Sequence, residues 1–389
     1  MEVEGMEIEI EIEEQQVPPS GDSSKRFGLR SSIQTNFGED YVFQIVSKDE
    51  SLMGVSLSTN VIKFYSPTTG QYFGECNGHS GTINEISFAN EVNSNLLHSC
   101  SSDGTIRIWD VRTFQQVAVI GSGSSQEVFS LSVGGPGNNL LAAGCEAQVH
   151  IWDWRNQKRI ASLEESHMED VTQVHFVPGH QNKLISASVD GLICVFDTTS
   201  DINEDDHLES VLNVGTSIGK VGFFGETNQQ LWCLTHIETL SLWDWKKAEA
   251  GANFQDARSV ASASWKMEHV DYFVDCHYSK DDDSLWVIGG TNSGTLGYFP
   301  VTYRRTSTIG SPEAVLQGGH VGIVRSVLPV SCMDSGPSQG HGIFGWTGGE
   351  DGRLCCWSSH ESPDTNRSWM SSELVVKSQR NRQKRHSPY

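Results

Sequence analysis

The chain has 389 residues, of which 37% are hydrophobic and 20% charged, and its formal net charge is −22. It contains no run of about 18 apolar residues, so no membrane-spanning helix is expected. Residues 1–22 lack the basic and apolar regions of a signal peptide, and the nine cysteines form no Cys-x-x-Cys pair. These features predict an intracellular protein with free thiols.

The charge is unevenly distributed along the chain. Residues 1–22 carry −8 and residues 374–389 carry +5, which leaves −19 for the residues between them. An acidic body repels phosphate groups, so nucleic-acid binding is not expected outside the C-terminal tail, and basic proteins are favoured as partners. We predict disordered tails at 1–22 and 378–389 around a single domain at 23–377. The basic tail is also typical of nuclear import, which predicts a location in cytoplasm and nucleus.

A strand-like segment, Arg26–Thr35, precedes a series of seven similar units. Each unit contains an apolar strand that ends at or near a Trp-Asp position. These strands are 59–66, 103–110, 146–153, 190–197, 237–244, 293–300 and 351–358. Their ends are spaced by 44, 43, 44 and 47 residues and then by 56 and 58, so the later units are expected to contain insertions. A period of about 40–45 residues is typical of β-propeller blades.

The second unit shows the predicted anatomy of one blade. Strands are expected at Thr82–Phe88, Leu96–Ser101, Thr105–Trp109 and Val117–Ile120, with a tight turn at Asp103-Gly104. A single four-stranded blade cannot bury both of its faces, whereas blades stacked around an axis can. The sequence therefore predicts an all-β fold, a single seven-bladed β-propeller.

The seventh unit has no clear fourth strand after Trp357. We expect Arg26–Thr35 to supply that strand and so to join the two ends of the ring. Glu373–Lys377 is the alternative donor.

A polar motif recurs at one position of the repeat. Its members are His79, Ser101, Asp103 and Trp109 in the second unit, His167, Ser188 and Asp190 in the fourth, and His320, Asp351 and Trp357 in the seventh. Phe196 replaces the tryptophan in the fourth unit, and Gly349 occupies the Ser/Thr position in the seventh. The pattern resembles the WD-repeat family, in which these residue types form a hydrogen-bonded cluster. Because the His–Asp pair recurs at one phase in separate units, we predict a structural role and not a catalytic one.

No other motif predicts an enzyme. The segment 215–220, Gly-Thr-Ser-Ile-Gly-Lys, is one residue too short for a phosphate loop, and Val221 replaces the residue that would reach magnesium. The histidines show no metal-binding spacing. We therefore predict no catalytic residue, no cofactor and no metal site.

Two Trp-Asp-x-Arg turns form the first candidate for partner binding. They end at Arg112 and Arg155 in consecutive units. The segment Leu140–Arg155 resembles the sixteen-residue box of WD proteins that bind the adaptor of cullin-type ubiquitin ligases. The alternative interpretation is a surface arginine that caps a turn.

Acidic residues form the second candidate. Glu164, Glu165, Glu169 and Asp170 flank His167 in a loop that precedes the first strand of a unit. We predict that a basic partner binds there, and the alternative is that the acidity only aids solubility.

Further landmarks resemble the WD repeat-containing protein 89 family. They include His167–Val174, Val287–Asn292, Leu316–His320 and Gly348–Asp351, and the acidic Ile-Glu start resembles the plant branch called GIGANTUS. The resemblance implies a non-catalytic scaffold that regulates growth and development through ribosome biogenesis or activity, with ribosomal or ribosome-assembly proteins as partners. The alternative is a substrate receptor of a cullin-type ligase.

Overall fold

The computed structural model describes residues 25–359, except for 36–39, 50, 90–94, 122–125, 200–201, 203–206, 267, 305 and 330–342. The predicted tails, the limits of the domain at 23 and 377, and the segment Glu373–Lys377 lie outside the described residues, so the tails and the domain limits remain predictions.

The described residues form 29 strands, a 3₁₀ helix at Pro136–Asn138 and a helix α1 at Ala257–Ser264. The first fifteen strands are β1 (Lys25–Gln34), β2 (Val42–Lys48), β3 (Leu52–Leu57), β4 (Val61–Tyr65), β5 (Tyr72–Asn77), β6 (Ile83–Phe88), β7 (Leu96–Ser101), β8 (Thr105–Asp110), β9 (Gln115–Gly121), β10 (Val128–Gly134), β11 (Leu140–Cys145), β12 (Val149–Asp153), β13 (Lys158–Leu163), β14 (Gln173–Phe176) and β15 (Lys183–Ala187). The others are β16 (Leu192–Asp197), β17 (Leu208–Asn213), β18 (Ile218–Phe224), β19 (Gln230–Thr235), β20 (Leu240–Asp244), β21 (Glu249–Phe254), β22 (Tyr272–Ser279), β23 (Ser284–Gly290), β24 (Leu296–Thr302), β25 (Thr308–Ile309), β26 (Ala314–Leu316), β27 (Val324–Pro329), β28 (Ile343–Gly349) and β29 (Arg353–Ser359).

These strands form seven antiparallel blades. Blades one to five are the consecutive sets β2–β5, β6–β9, β10–β13, β14–β17 and β18–β21. The sixth contains β22, β23, β24 and β26, with β25 beside β24, and the seventh contains β27, β28, β29 and β1. The first strands of the blades contact one another in order around the ring, and β27 contacts β2. The predicted seven-bladed propeller is confirmed.

The hydrophobic core lies between neighbouring blades. One cluster joins Cys100, Ile106 and Ile120 of blade two to Val128 and Leu141 of blade three, and similar clusters follow around the ring. Side chains of the inner strands add polar links between blades. The carboxylate of Glu85, for example, accepts the amide N–H of Leu131 at 2.8 Å. Neighbouring blades therefore bury faces that a single blade would expose to water.

The N-terminal strand closes the ring as predicted. The segment Phe27–Gln34 of β1 pairs antiparallel with Arg353–Ser359 of β29. The start of β1 also pairs in parallel with Ala314–Leu316 of β26, which joins blades six and seven at their outer edge. The strand begins one residue before the predicted segment, and the amide of Thr35 still donates to the carbonyl of Gly352 at 2.9 Å.

Part of the predicted insertions is visible. Helix α1 and its flanks fill the long connection between blades five and six, where Ala257, Ala261 and Trp265 are buried in the core that these blades share. A second long connection, between β24 and β26, contains the short strand β25.

The two faces of the ring differ in which loops they carry. The loops that lead into each blade meet the turns between second and third strands, as the contact of His79 with Asp103 shows. We call this the His face. On the opposite face, the turns after the third strands meet those between first and second strands, where the amide of Val111 bonds the carbonyl of Asn95.

His98 makes the stability of the ring depend on pH. It is fully buried on β7, and its ring meets that of Trp154 edge-on with 5.2 Å between centroids. Burial lowers the pKa of His98 from 6.5 to about 4. The unfolded chain therefore binds a proton at His98 between these values and the folded chain does not, so the contribution of neutral His98 to stability is complete above pH 6.5 and decreases as the pH falls towards 4.

We expect His98→Leu to reduce this pH dependence. Between pH 6.5 and 4 the wild type should lose about 3 kcal/mol more unfolding free energy than the variant. Urea unfolding at several pH values measures the slope of the unfolding free energy against pH for each protein. The slopes are compared, and not the absolute stabilities, because the variant also changes the contact with Trp154. The exposed His236, changed to Leu, is the control. Parallel pH profiles for wild type and His98→Leu would contradict the prediction.

Candidate functional site

The polar cluster of blade two is a closed hydrogen-bond network. Nδ1 of His79 lies 2.9 Å from a carboxylate oxygen of Asp103, and Nε2 lies 2.7 Å from the hydroxyl of Ser99. The indole N–H of Trp109 donates to the same hydroxyl at 2.8 Å. The network places the histidine proton on Nδ1, so that the Ser99 hydroxyl donates to Nε2 and accepts from Trp109.

Ser101 does not join the histidine to the tryptophan, so this part of the sequence prediction was wrong. Its hydroxyl accepts the backbone N–H of Asp103 at 3.1 Å and so fixes the turn. The two serines alternate with Cys100 on β7 and point to the same face. Ser99 lies deeper in the blade, within reach of the indole of Trp109.

The same arrangement recurs in blades four and seven. His167 contacts Asp190 at 3.1 Å and Ser186 at 2.6 Å, while Ser188 accepts the amide of Asp190. His320 contacts Asp351 at 3.0 Å and Thr347 at 2.7 Å, and the indole of Trp357 donates to Thr347 at 2.8 Å. Gly349 therefore leaves no gap in the seventh blade, because Thr347 supplies the hydroxyl. Sequence reasoning missed Ser99, Ser186 and Thr347, which lie two residues before the expected positions.

The ionisation of these groups fits a structural role. Burial lowers the pKa of His79 and of His167, against the opposing effect of their aspartates. Burial also opposes ionisation of Asp103, yet hydrogen bonds from Thr105, the Ser80 amide and His79 hold its pKa at about 2. The neutral histidine and ionised aspartate resemble a catalytic Ser–His–Asp set, but Ser99 is fully buried and already bonded to Trp109.

Each aspartate of the three networks also holds the backbone amide that directly follows its histidine on the His face. The acceptor oxygens of Asp103, Asp190 and Asp351 bond the N–H groups that directly follow the histidines, which belong to Ser80 at 3.0 Å, Met168 at 3.0 Å and Val321 at 2.9 Å. The side chains of these three residues project from a fixed backbone. Met168 is 87% exposed and Val321 67% exposed. Neither side chain was predicted from the sequence to be exposed, although both occupy the position after a repeat histidine.

The predicted acidic residues surround Met168. They lie in the loop between β13 and β14, where Glu164, Glu165 and Glu169 are exposed and Asp170 is half-buried. Glu164 accepts a hydrogen bond from Ser162 at 3.1 Å. The structure thus places the acidic loop on the His face beside a buried network, and its role in binding stays a prediction.

The two predicted arginines lie on the opposite face, at the same position of consecutive turns. Arg112 is exposed after β8, and its guanidinium bonds both oxygens of Asp110, at 3.0 and 2.6 Å. Arg155 is exposed after β12, and its guanidinium lies 5.4 Å from the ring centroid of Trp154. The first is paired within its own turn, and the second stacks on an aromatic ring.

Within the described part of the chain, no helix is long and apolar enough to cross a membrane. The same residues contain no group of three or more His, Cys, Asp or Glu side chains placed to hold a metal ion. The eight described cysteines are free thiols, and burial raises the pKa of Cys76, Cys145 and Cys194 to about 12.

Comparison with known proteins gives consistent results. Residues 70–110 and 157–197 match the family "WD domain, G-beta repeat". The chain is 60% identical to WD repeat-containing protein GTS1 of Arabidopsis thaliana, over the full length of both. It is 36% identical to the WD repeat-containing protein 89 homolog of Dictyostelium discoideum, over 75% of this chain and 79% of that protein.

More distant matches agree with the fold. A guanine nucleotide-binding protein subunit beta of Oryza sativa subsp. japonica is 30% identical over 39% of this chain and 43% of its own length. A chain from the crystal structure of the mitotic checkpoint complex aligns with a TM-score of 0.66 at 12% identity, covering 92% of this chain and 99% of that one. At this identity the likeness concerns the fold alone.

Proposed function

The chain belongs to the WD-repeat family, and on this premise we propose that it is a non-catalytic scaffold that binds other proteins in the cytoplasm and nucleus. We propose further that it regulates growth and development through ribosome biogenesis or activity. The observation that carries the scaffold role is that each buried polar network is committed to holding its blade together. Exposed charged groups lie instead on the loops of both faces, and exposed apolar groups lie on loops of the His face, where partners can reach them.

Charge supports the proposed class of partner. The residues between the two tails carry −19, and the acidic loop with Glu164, Glu165 and Glu169 is exposed on the His face. Such a field steers basic proteins towards the surface, and ribosomal proteins are strongly basic. The resemblance to the WD repeat-containing protein 89 family supports the link to growth.

Affinity purification of the tagged full chain, followed by mass spectrometry, tests the proposal. We expect ribosomal and ribosome-assembly proteins to be enriched after nuclease treatment, which removes proteins held only through RNA. The reference is a tagged propeller of unrelated sequence and similar net charge. Recovery of the same proteins with that reference, or their absence from both samples, would contradict the proposed role.

A second function is favoured by Arg112 and Arg155, which are exposed at equivalent turns of consecutive blades. A substrate receptor of a cullin-type ligase would use these arginines to bind the ligase adaptor. Under this alternative, the purification recovers the adaptor in place of ribosomal proteins.

We expect the double variant Arg112→Ala and Arg155→Ala to lose most adaptor binding if this second function is correct. Each substitution removes a guanidinium and the bidentate contacts that it would make with the adaptor, so adaptor binding should fall by at least about tenfold. Pull-down with purified adaptor measures this, and Arg258→Ala on helix α1 is the matched control. A folded double variant that retains wild-type binding would remove the support for this function.

A further inference from the structure

Exposed hydrophobic side chains are unevenly distributed between the two faces. Of the thirteen large ones among the described residues, nine lie on outer strands or on α1, where one side of the element faces water. These are Leu29, Tyr72, Phe73, Val117, Val119, Ile160, Leu208, Val211 and Val260. The other four, Tyr41, Met168, Ile237 and Val321, are all in loops or turns of the His face. The described turns of the opposite face hold none.

Loops and turns normally carry polar residues. The four apolar side chains that loops and turns do expose all lie on the His face, which favours this face as a binding surface. The two most exposed ones, Met168 and Val321, are also the two whose backbone is held by the Asp190 and Asp351 carboxylates. Because the backbone at both positions is already fixed, a partner that covers these side chains restricts their rotamers but need not order the loop backbone as well. Met168 and Val321 are therefore suited to act as anchors.

The position of the two anchors sets the size of the partner. Met168 precedes blade four and Val321 precedes blade seven, so they lie three blades apart in a ring of seven. A partner that contacts both either crosses the centre of the His face or follows the ring past blades five and six. Ile237, in a turn of blade five, lies between them along the ring.

The charge next to the anchors sets the chemistry of the partner. Glu164, Glu165 and Glu169 all lie within four residues of Met168 and are exposed. Val321 lies in the loop before β27, where the amide of Glu350 bonds the carbonyl of Ile323 and the carboxylate of Glu350 is paired with Arg325. A partner segment that combines basic side chains with aliphatic or aromatic ones meets both features, because its charges face the glutamates while its apolar groups cover the anchors.

Building on the proposed scaffold function, we propose that the His face is the docking surface of this protein and that Met168 and Val321 anchor a basic protein segment which also carries apolar side chains. The two carboxylates that stabilise blades four and seven hold these anchors in place.

The test uses the purified full chain and an array of 20-residue peptides that tile the cytosolic ribosomal proteins. We expect binding of peptides that are both basic and apolar, and little binding of peptides with only one of these properties. The double variant Met168→Ser and Val321→Ser should bind them about 30-fold more weakly, from the apolar area that it loses. Val117→Ser with Val119→Ser, on outer strand β9, is the matched control and should bind as the wild type does.

Three results would overturn the inference. Unchanged peptide affinity of the Met168/Val321 variant would show that these side chains are not anchors, while the scaffold function would stand if ribosomal proteins still copurify. Binding that depends on peptide charge alone would exclude an apolar contribution. A wild-type dimer in sedimentation velocity that the double variant converts to a monomer would assign the surface to a second copy of the chain.

Discussion

Deletion of residues 25–34 is expected to destabilise the ring by at least about 5 kcal/mol, which is comparable with the whole stability of many domains. The deletion removes the backbone pairs between Phe27–Gln34 and β29 and leaves blade seven with three strands. It also removes Phe27 and Ile33, which pack against the cores beside blade seven. Seven or so backbone hydrogen bonds at about 0.5–1 kcal/mol each, and two apolar side chains at about 1.5 kcal/mol, account for the effect.

Soluble yield and urea unfolding measure the result. Deletion of residues 1–20 removes no described residue and is the control, which should unfold as the full chain does. A synthetic peptide of residues 25–34, added to the shortened chain, should raise its stability with the logarithm of the peptide concentration once that exceeds the dissociation constant, because the peptide binds only the folded ring. A shortened chain with the wild-type unfolding midpoint would show that β1 does not close the propeller.

Asp103→Ala is expected to cost on the order of 1–3 kcal/mol. The change leaves four donors without their acceptor, namely the ring N–H of His79, the amides of Ser80 and Thr105, and the hydroxyl of Thr105. The ring N–H of His79 is the costliest of the four to leave unpaired, because His79 is buried and water cannot replace the lost partner freely.

Thermal and urea unfolding of purified protein measure this change. Asp282→Ala is the matched control, since Asp282 is an exposed aspartate in a turn of the opposite face. We expect that control to stay within about 0.5 kcal/mol of the wild type. If Asp103→Ala were equally harmless, the hydrogen-bonded cluster would not stabilise blade two.

The fold was predictable because each blade repeats one local pattern. The strand endings at Trp-Asp positions and the Asp103-Gly104 turn fixed the period, and the missing fourth strand after Trp357 indicated where the N-terminal strand belongs. The long connection that contains α1 was predictable only as an insertion. Its buried residues Ala257, Ala261 and Trp265 have no equivalent in the other blades, so the repeat pattern could not predict a helix there.

The site was predictable in type and not in detail. The recurrence of His79, Asp103 and Trp109 indicated a hydrogen-bonded cluster, but the choice between Ser99 and Ser101 depends on how deep each hydroxyl lies. In blade seven, Thr347 could not be distinguished from a core residue. The exposure of Met168 and Val321 could not be predicted from the sequence either. It depends on the loop conformation that Asp190 and Asp351 fix by bonding the amides of these two residues.

Reversal of charge on the His face tests the central claim, that this propeller binds basic protein partners there, most directly. The purified wild-type chain and two variants are compared for binding to total ribosomal protein freed of RNA, at low and at high salt. They are the wild type, a His-face variant in which Glu164, Glu165 and Glu169 become Lys, and an opposite-face variant in which Glu226, Asp281 and Asp282 become Lys. Both reversals change the net charge equally, and all six acidic side chains are exposed.

We predict that the His-face variant binds at least about tenfold more weakly than the wild type at low salt and that this difference is smaller at high salt. The opposite-face variant should bind almost as the wild type does. Equal weakening by the two variants, or none by either, would contradict the claim that the His face is the binding surface.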